Sequence, residues 1–267
     1  MSHHATQLDH VIILLPYKDI LNPPPWITNH FTVSPGGKHA DNKTENRLIL
    51  FSDGTYVELI AFINDDPEKR KGHWWDKPFG IVDFALTTQK PFDFAGLQER
   101  LEGSGSGVAY AKPVAGSRRR EDGQDVKWEV TFPLGAERGE VPFWCHDVTP
   151  RERRVPVGEE NTDHPCQAIG MSRVTIEVRP GSVERLGSAL SAITEARRDD
   201  VHGYPVGSAI SSEGEEADSW IALQPIDEGG AGHQLRLTLR LPRDGKRGLD
   251  CIEERVGDGT VFIGFEQ

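Results

Sequence analysis

At 267 residues, with 42 acidic against 30 basic side chains and a formal charge of −12, the chain is long enough for one large or two ordinary domains with real cores. Its overall field opposes a phosphate-tracking surface, so nucleic acid is excluded as an expected partner. No apolar run approaches the ~20 residues of a membrane span, and Met1-Ser2-His3-His4-Ala5 lacks a charged-then-apolar leader, so no membrane partner and a cytoplasmic location are expected.

In chain order, Leu8-Asp9-His10-Val11-Ile12-Ile13 reads as a buried strand interrupted by a polar residue. Pro23, Pro24 and Pro25 follow where a helix would stand; they lack the amides a helix interior needs, so a turn with at most a single helical turn is expected. A glycine loop, Pro35-Gly36-Gly37-Lys38-His39, leads to strands over Thr44 to Leu50 and Tyr56 to Ile60. The polar stretch Asp65 to Lys77 connects onward, and its Trp74 and Trp75 imply that part of it packs.

Ile81 to Leu86 opens a second run of the same kind. Asp93 can cap a helix whose Phe94, Leu97 and Leu101 share a face and which Gly103 can close. Strands are expected over Val108 to Ala111, Val126 to Phe132 and Val141 to Cys145. Thr149 to His164 reads as a solvated connection because its arginines and acids alternate. A third run then begins, with a strand over Arg173 to Val178, Ser182 as the cap of a helix facing inward with Val183, Leu186, Leu190 and Ile193, and strands near Ser219 to Leu223 and Leu235 to Leu241. The acidic loop Ser211 to Asp218 is expected to be mobile.

The three opening strands are alike, with His10, Asp83 and Arg173 at the same third position. The unit is therefore β-α-β-β-β, used at residues 6–64, 79–148 and, after a linker at 149–164, 165–267. This order gives an α+β fold with mainly antiparallel strands.

Strand alternation selects candidate site residues. His10 shares a face with Ile12 and Leu14, and Glu58 with Tyr56 and Ile60. Residue types alone favour a buried hydrogen-bonded pair, since a buried imidazole or carboxylate needs a partner. His39, Thr44 and Asn46 are polar groups that a loop can aim at a cavity mouth, although a surface histidine beside a turn is the ordinary alternative. Asp122-Gly123 marks a hairpin with Trp128 on the returning strand. Of the preceding arginines, Arg118 and Arg120 share parity and suit a planar oxyanion. Cys145 reads as a small buried residue rather than a nucleophile. Cys145, Cys166 and Cys251 are odd in number and far apart, against both a disulfide framework and a cysteine-based zinc knuckle. No Walker loop, His-Glu-x-x-His, Gly-x-Ser-x-Gly or dinucleotide fingerprint occurs.

Taken jointly, Leu8-Asp9-His10, Pro35-Gly36-Gly37-x-His39, Thr44-x-Asn46-x-Leu48, Tyr56-x-Glu58-Leu59 and the arginine-Asp122-Gly123…Trp128 run resemble the glyoxalase-like domain of the vicinal oxygen chelate (glyoxalase/bleomycin resistance/dioxygenase) superfamily, over residues 8 to about 160. The resemblance implies two βαβββ modules paired into an incomplete mixed or antiparallel barrel around a cavity, plus a third, partial module. It implies a divalent metal, Zn, Mn or Fe(II), held by His10 and Glu58 with Asp83 at the matching place in the second module, where Phe143 replaces the second carboxylate. His39 and Glu58 would be catalytic; Thr44, Asn46, Tyr56, Arg118, Arg120, Trp128 and Cys145 would meet the substrate. The activity implied is metal-assisted lyase or isomerase chemistry on a small molecule with adjacent oxygens or a carboxylate. The alternative is a metal-free binding protein walled by Trp26, Tyr56, Trp128 and Trp144. A homodimer is compatible with either.

Overall fold

The computed structural model describes residues 6–89, 91–120, 122–210, 219–226, 233–245 and 249–267; the acidic loop 211–218 and the N-terminal histidines lie outside them. The spine is β1 (Thr6–Leu14), buried along its whole length. Two short helices follow, α1 (Tyr17–Leu21) and α2 (Pro25–Thr28), the second started by the preset φ of Pro25. The prolines therefore shorten the helical connection without abolishing it, and α1 is an element the sequence pattern does not announce. Then come β2 (Ser34–Lys38), β3 (Thr44–Leu50) and β4 (Tyr56–Phe62). β1 pairs in parallel with β4, which pairs with β3, which pairs with β2.

After α3 (Pro67–Arg70), whose first turn is capped by Asp66, the order recurs with β5 (Gly80–Thr88) and α4 (Phe94–Ser104). Asp93 caps α4 through the amide of Gly96 as expected, but the helix closes on Gly105 rather than Gly103. β6 (Ala109–Tyr110) makes only a two-residue ladder, so the strand expected at Val108 to Ala111 is not the one in the main sheet. That place belongs to β7 (Val114–Arg119), followed by β8 (Asp125–Thr131), the short β9 (Pro133–Leu134) and β10 (Phe143–Asp147). The order β5-β10-β8-β7 repeats β1-β4-β3-β2, and the two modules join where β1 and β5 pair antiparallel. Their far ends curl until Ala40 donates to the carbonyl of Ser117 at 3.1 Å and His39 bridges Arg118, so the barrel touches itself at one point and is open elsewhere.

α5 (Arg151–Arg154) and α6 (Glu159–Thr162) lead to β11 (Gly170–Val178), α7 (Val183–Thr194), β12 (Tyr204–Ser208), β13 (Ser219–Pro225), β14 (Gln234–Arg240), β15 (Cys251–Val256) and β16 (Gly259–Glu266). A 3-10 turn over Pro180–Ser182 introduces α7, and the Ser182 side chain makes no cap bond. β11 pairs in parallel with β13 and antiparallel with β14, the relation β1 has to β4 and β5. The strand carrying Leu235, Leu237 and Leu239 thus begins a further shortened set, β14-β16-β15. A parallel contact between β12 and the start of β1 makes one 14-stranded mixed sheet of the two halves.

β1 has two faces with different neighbours. Leu8, Val11 and Ile13 pack into the main core with Leu97 and Leu101 of α4 and Leu186, Leu190 and Ile193 of α7, each buried side chain contributing about 1.5–3 kcal/mol by leaving water. Ile12 and Leu14 face the other way, against Ile60, Phe62, Phe143 and Cys145. His10 opens that second face and looks into the hollow between the first two modules.

The halves also meet at the β3–β4 turn. The Asp53 amide donates to the carbonyl of Ile169 at 3.2 Å, and Ile210 donates to the Asp53 carbonyl at 2.8 Å. Burial pushes the Asp53 carboxyl up from 3.8 to about 6, opposed by its bonds from Thr55 and by Arg240. The folded chain therefore holds a proton that the unfolded chain releases between those values. Stability falls as pH rises through that window, and the penalty is fully present above it. Asp53→Asn is expected to remove that dependence and raise stability at pH 7 by roughly 1–3 kcal/mol, as urea denaturation at pH 4.5 and pH 7 would read it.

Candidate functional site

The hollow has a volume of about 420 Å³ and is lined from β1, β3 and β4 on one side and β7, β8 and β10 on the other. Of the residues singled out from sequence, His10, His39, Thr44, Asn46, Tyr56, Glu58, Arg118, Trp128 and Cys145 all line it. Nine side chains from both modules are thereby brought together, although they span 136 positions of the chain from His10 to Cys145.

Glu58 stands at the centre. His10 Nε2 lies 3.6 Å from its Oε2, His39 Nε2 lies 3.5 Å from its Oε1, and Asn46 Nδ2 donates to Oε1 at 2.6 Å. Both imidazoles are held from behind. His10 Nδ1 donates to Asp9 Oδ2 at 2.7 Å and its ring stacks on Tyr56 with centroids 4.6 Å apart. His39 Nδ1 and Thr44 Oγ1 share a hydrogen bond of 2.7 Å. Burial depresses the His39 pKa, with Glu58 pulling the other way, which favours its neutral form. Asn46 Oδ1 is fixed in turn by the Gly37 amide at 3.0 Å and by Arg118 at 3.2 Å. β2 passes so close to Asn46 that a Cβ on Gly36 would sit 2.2 Å from its carbonyl oxygen, so the glycine is what lets the loop carrying His39 approach.

With Nδ1 hydrogen-bonded to Asp9, His10 turns its Nε2 toward the Glu58 carboxylate. A ring nitrogen and a carboxylate oxygen facing one another at 3.6 Å are reconciled by a positive species between them, a proton on Nε2 or a cation. His10 Nε2 and Glu58 Oε2 fit a divalent cation on that ground: their 3.6 Å separation suits neighbouring ligands on bonds of about 2.0–2.2 Å, and His10 is oriented through Nδ1 by Asp9, as metal-binding histidines are, whereas His39 Nε2 faces the other oxygen of Glu58. A second donor group, Asp9, His10 and Cys145, has its atoms within 4.8 Å of one another. Asp9 there is already engaged by Arg151 and Arg154, so a cation would meet two guanidinium groups. Burial also pushes the Cys145 thiol up, which disfavours the thiolate that a metal requires.

Two sequence assignments are corrected. Asp83 does not line the hollow; it is fully buried against Arg138 and Trp75, so its carboxylate is spent on an ion pair and an indole N–H rather than a metal. Arg120 has the parity of Arg118 but lies beyond the end of β7, where it bonds the Arg153 carbonyl at 3.1 Å and pairs with Asp122 at 3.2 Å. Trp26 and Trp144, walls in the binding-protein alternative, belong to the main core on the opposite face.

The site also contains residues that sequence pattern missed. Arg154, in the stretch read as solvated, is 3 % exposed. It donates to Asp9 at 2.8 and 3.2 Å, to Asp147 at 2.5 and 2.8 Å, and to the Tyr56 hydroxyl at 2.7 Å. Burial would raise the Asp9 carboxyl, but Arg151, Arg154 and His10 outweigh it and hold it well below the ordinary carboxylate range. The available signal was Asp9 itself: an acid inside an apolar strand needs a cation from elsewhere, and a bulge in β1 between Leu8 and His10 turns it toward one.

Paired modules curled around a hollow with a histidine on the first strand and a glutamate on the fourth define a protein of the vicinal oxygen chelate superfamily. Within it, the chain belongs to the glyoxalase-like domain family, whose model matches residues 8–192. A hypothetical protein from Staphylococcus aureus is similar over 98 % of this chain and 100 % of its own, at 13 % identity and a TM-score of 0.66. A xylose isomerase-like TIM barrel/4-hydroxyphenylpyruvate dioxygenase fusion protein is similar over 91 % of this chain and 37 % of its own, at 8 % identity and a TM-score of 0.50. No curated protein sequence matches. Among the described residues, no helix is long and apolar enough to cross a membrane.

Proposed function

We propose that the chain is a small-molecule enzyme that moves a proton on a substrate bearing adjacent oxygens, by lyase or isomerase chemistry. The observation that carries this reading is the Glu58 carboxylate flanked by two separately oriented imidazoles on the floor of a substrate-sized hollow. His10 and Glu58 are the residues that would hold a divalent cation, Zn, Mn or Fe(II), without the Asp83 that the resemblance implied. When bound, the cation polarises a substrate oxygen.

The protein's own groups supply the rest. Asp9 and Tyr56 fix the ring of His10, and Asn46, bonded to Oε1, orients the Glu58 carboxylate that would accept a proton from carbon. His39, 15 % exposed against 3 % for His10, is the imidazole placed to return that proton. Trp75, Phe132 and Phe143 keep the floor apolar, so charge developing on a substrate oxygen is felt strongly.

The test is ion content. Full-length protein equilibrated with Zn(II) or Mn(II) and dialysed is expected to retain one ion per chain, and His10→Ala is expected to lose it while keeping the far-ultraviolet spectrum. A wild-type protein that folds and retains none selects the second reading, a metal-free small-molecule binder. That reading is favoured by the commitment of Asp83 to Arg138.

A further inference from the structure

Arg118 is 5 % exposed and lines the hollow, and its guanidinium touches only neutral acceptors. Nη1 donates to Asn46 Oδ1 at 3.2 Å and Nη2 to the carbonyl of Arg154 at 3.0 Å, while Nε is buried without a partner. Among the described residues no carboxylate pairs with it. The other arginines around the hollow differ: Arg154 and Arg151 share Asp9 and Asp147, and Arg138 has Asp83. A buried cation left with neutral partners is costly unless something supplies the opposite charge. Glu58 acts on it only at a distance, because Asn46 stands between the two and bonds both.

The walls define the rest of the missing molecule. Phe143, Phe132 and Trp74 run as a chain of ring contacts, 5.5 and 4.8 Å between centroids, from the floor to the rim, where Trp74 is 44 % exposed. Four residues before Phe132 and packed against the same apolar cluster, the Trp128 indole of β8 lies across β7 at Gly116, where a Cβ would fall 2.4 Å from its Nε1, so glycine is what allows the ring to extend that wall. A volume of about 420 Å³ beside such a wall suits a flat body of one or two rings.

We propose that the substrate is an aryl carboxylic acid, its carboxylate seated on Arg118 and its ring against the aromatic face made by Trp128, Phe132 and Trp74; this deepens the enzymatic reading of the same hollow and rests on it. A single guanidinium balances a monoanion, whereas a phosphate dianion beside Glu58 would be repelled.

The probes are 3-phenylpropanoate, its amide and phenyl phosphate, titrated into the full chain by tryptophan fluorescence and calorimetry. Wild type is expected to bind the acid roughly 10- to 100-fold more tightly than the amide, the range of a hydrogen-bonded charge in a dry site, and more tightly than phenyl phosphate. Arg118→Gln is expected to bind acid and amide alike. Arg118→Lys, which keeps the charge but not the fork, retains part of the preference and serves if the glutamine variant does not fold. Equal binding of acid and amide by wild type, no saturable binding of the acid, tighter binding of phenyl phosphate, or a preference that survives in Arg118→Gln overturns the proposal. Failure of the enzymatic reading shows separately, as absent ion retention with the acid preference intact.

Discussion

Arg154→Met is expected to destabilise the fold by roughly 3 kcal/mol, the lower end of what breaking a buried ion pair costs. Arg154 is the only group among the described residues that hydrogen-bonds Asp9, Asp147 and Tyr56 together. Methionine fills much of the volume but leaves a fully buried carboxylate on Asp9 with only Arg151, at 2.6 Å, and His10 to answer it. That remaining arginine is why the lower end of the range is chosen. The attribution to Asp9 is checked by a cycle: Asp9→Asn combined with Arg154→Met is expected to lose less than the sum of the single variants by roughly 1–3 kcal/mol, since the orphaned charge is gone. Additive losses in urea denaturation would mean that Arg154 acts by packing alone. The same cycle bears on the site, because Asp9 and Tyr56 are the two groups that hold His10.

The contrast between Arg118 and Arg154 shows what sequence pattern can and cannot see. The facing of His10 and Glu58 followed from alternation, because each interrupts an apolar run, in β1 and β4 respectively. Arg118 was singled out together with Arg120, because only arginines of one parity can face inward on an alternating strand. Yet its strand, β7, was not foreseen: Val114 to Arg119 has one buried side chain, the arginine itself, and so shows no hydrophobic period. Parity also placed Arg120 with Arg118, but parity sets direction and not depth, and β7 ends before Arg120. Asp83 was misread because its partner, Arg138, lies 55 positions away in a loop that no local pattern ties to it. Arg154 looked solvated because composition reports the average of a segment, and one buried residue in a charged helical turn does not alter that average.

Glu58→Gln is the variant expected to separate function from fold most cleanly. The amide keeps the size of the carboxylate, its oxygen can still accept from Asn46, and its nitrogen then takes the place of Oε2, facing Nε2 of His10, to which it can donate. Stability is therefore expected to change by less than about 0.5 kcal/mol, as for substitutions that leave no buried group unpaired. Cation affinity, read from free Mn(II) by electron paramagnetic resonance, is expected to fall by at least the ~10–100-fold that losing even an outer-shell partner costs. Turnover of any substrate processed through proton abstraction is expected to fall by roughly 10²–10⁴-fold, the share of a positioned general base. The opposite result, a protein that loses several kcal/mol on this change while binding Mn(II) no less tightly, would mean that Glu58 serves His10 and His39 as a structural counter-charge. In that case the hollow would be a binding site without a reaction centre.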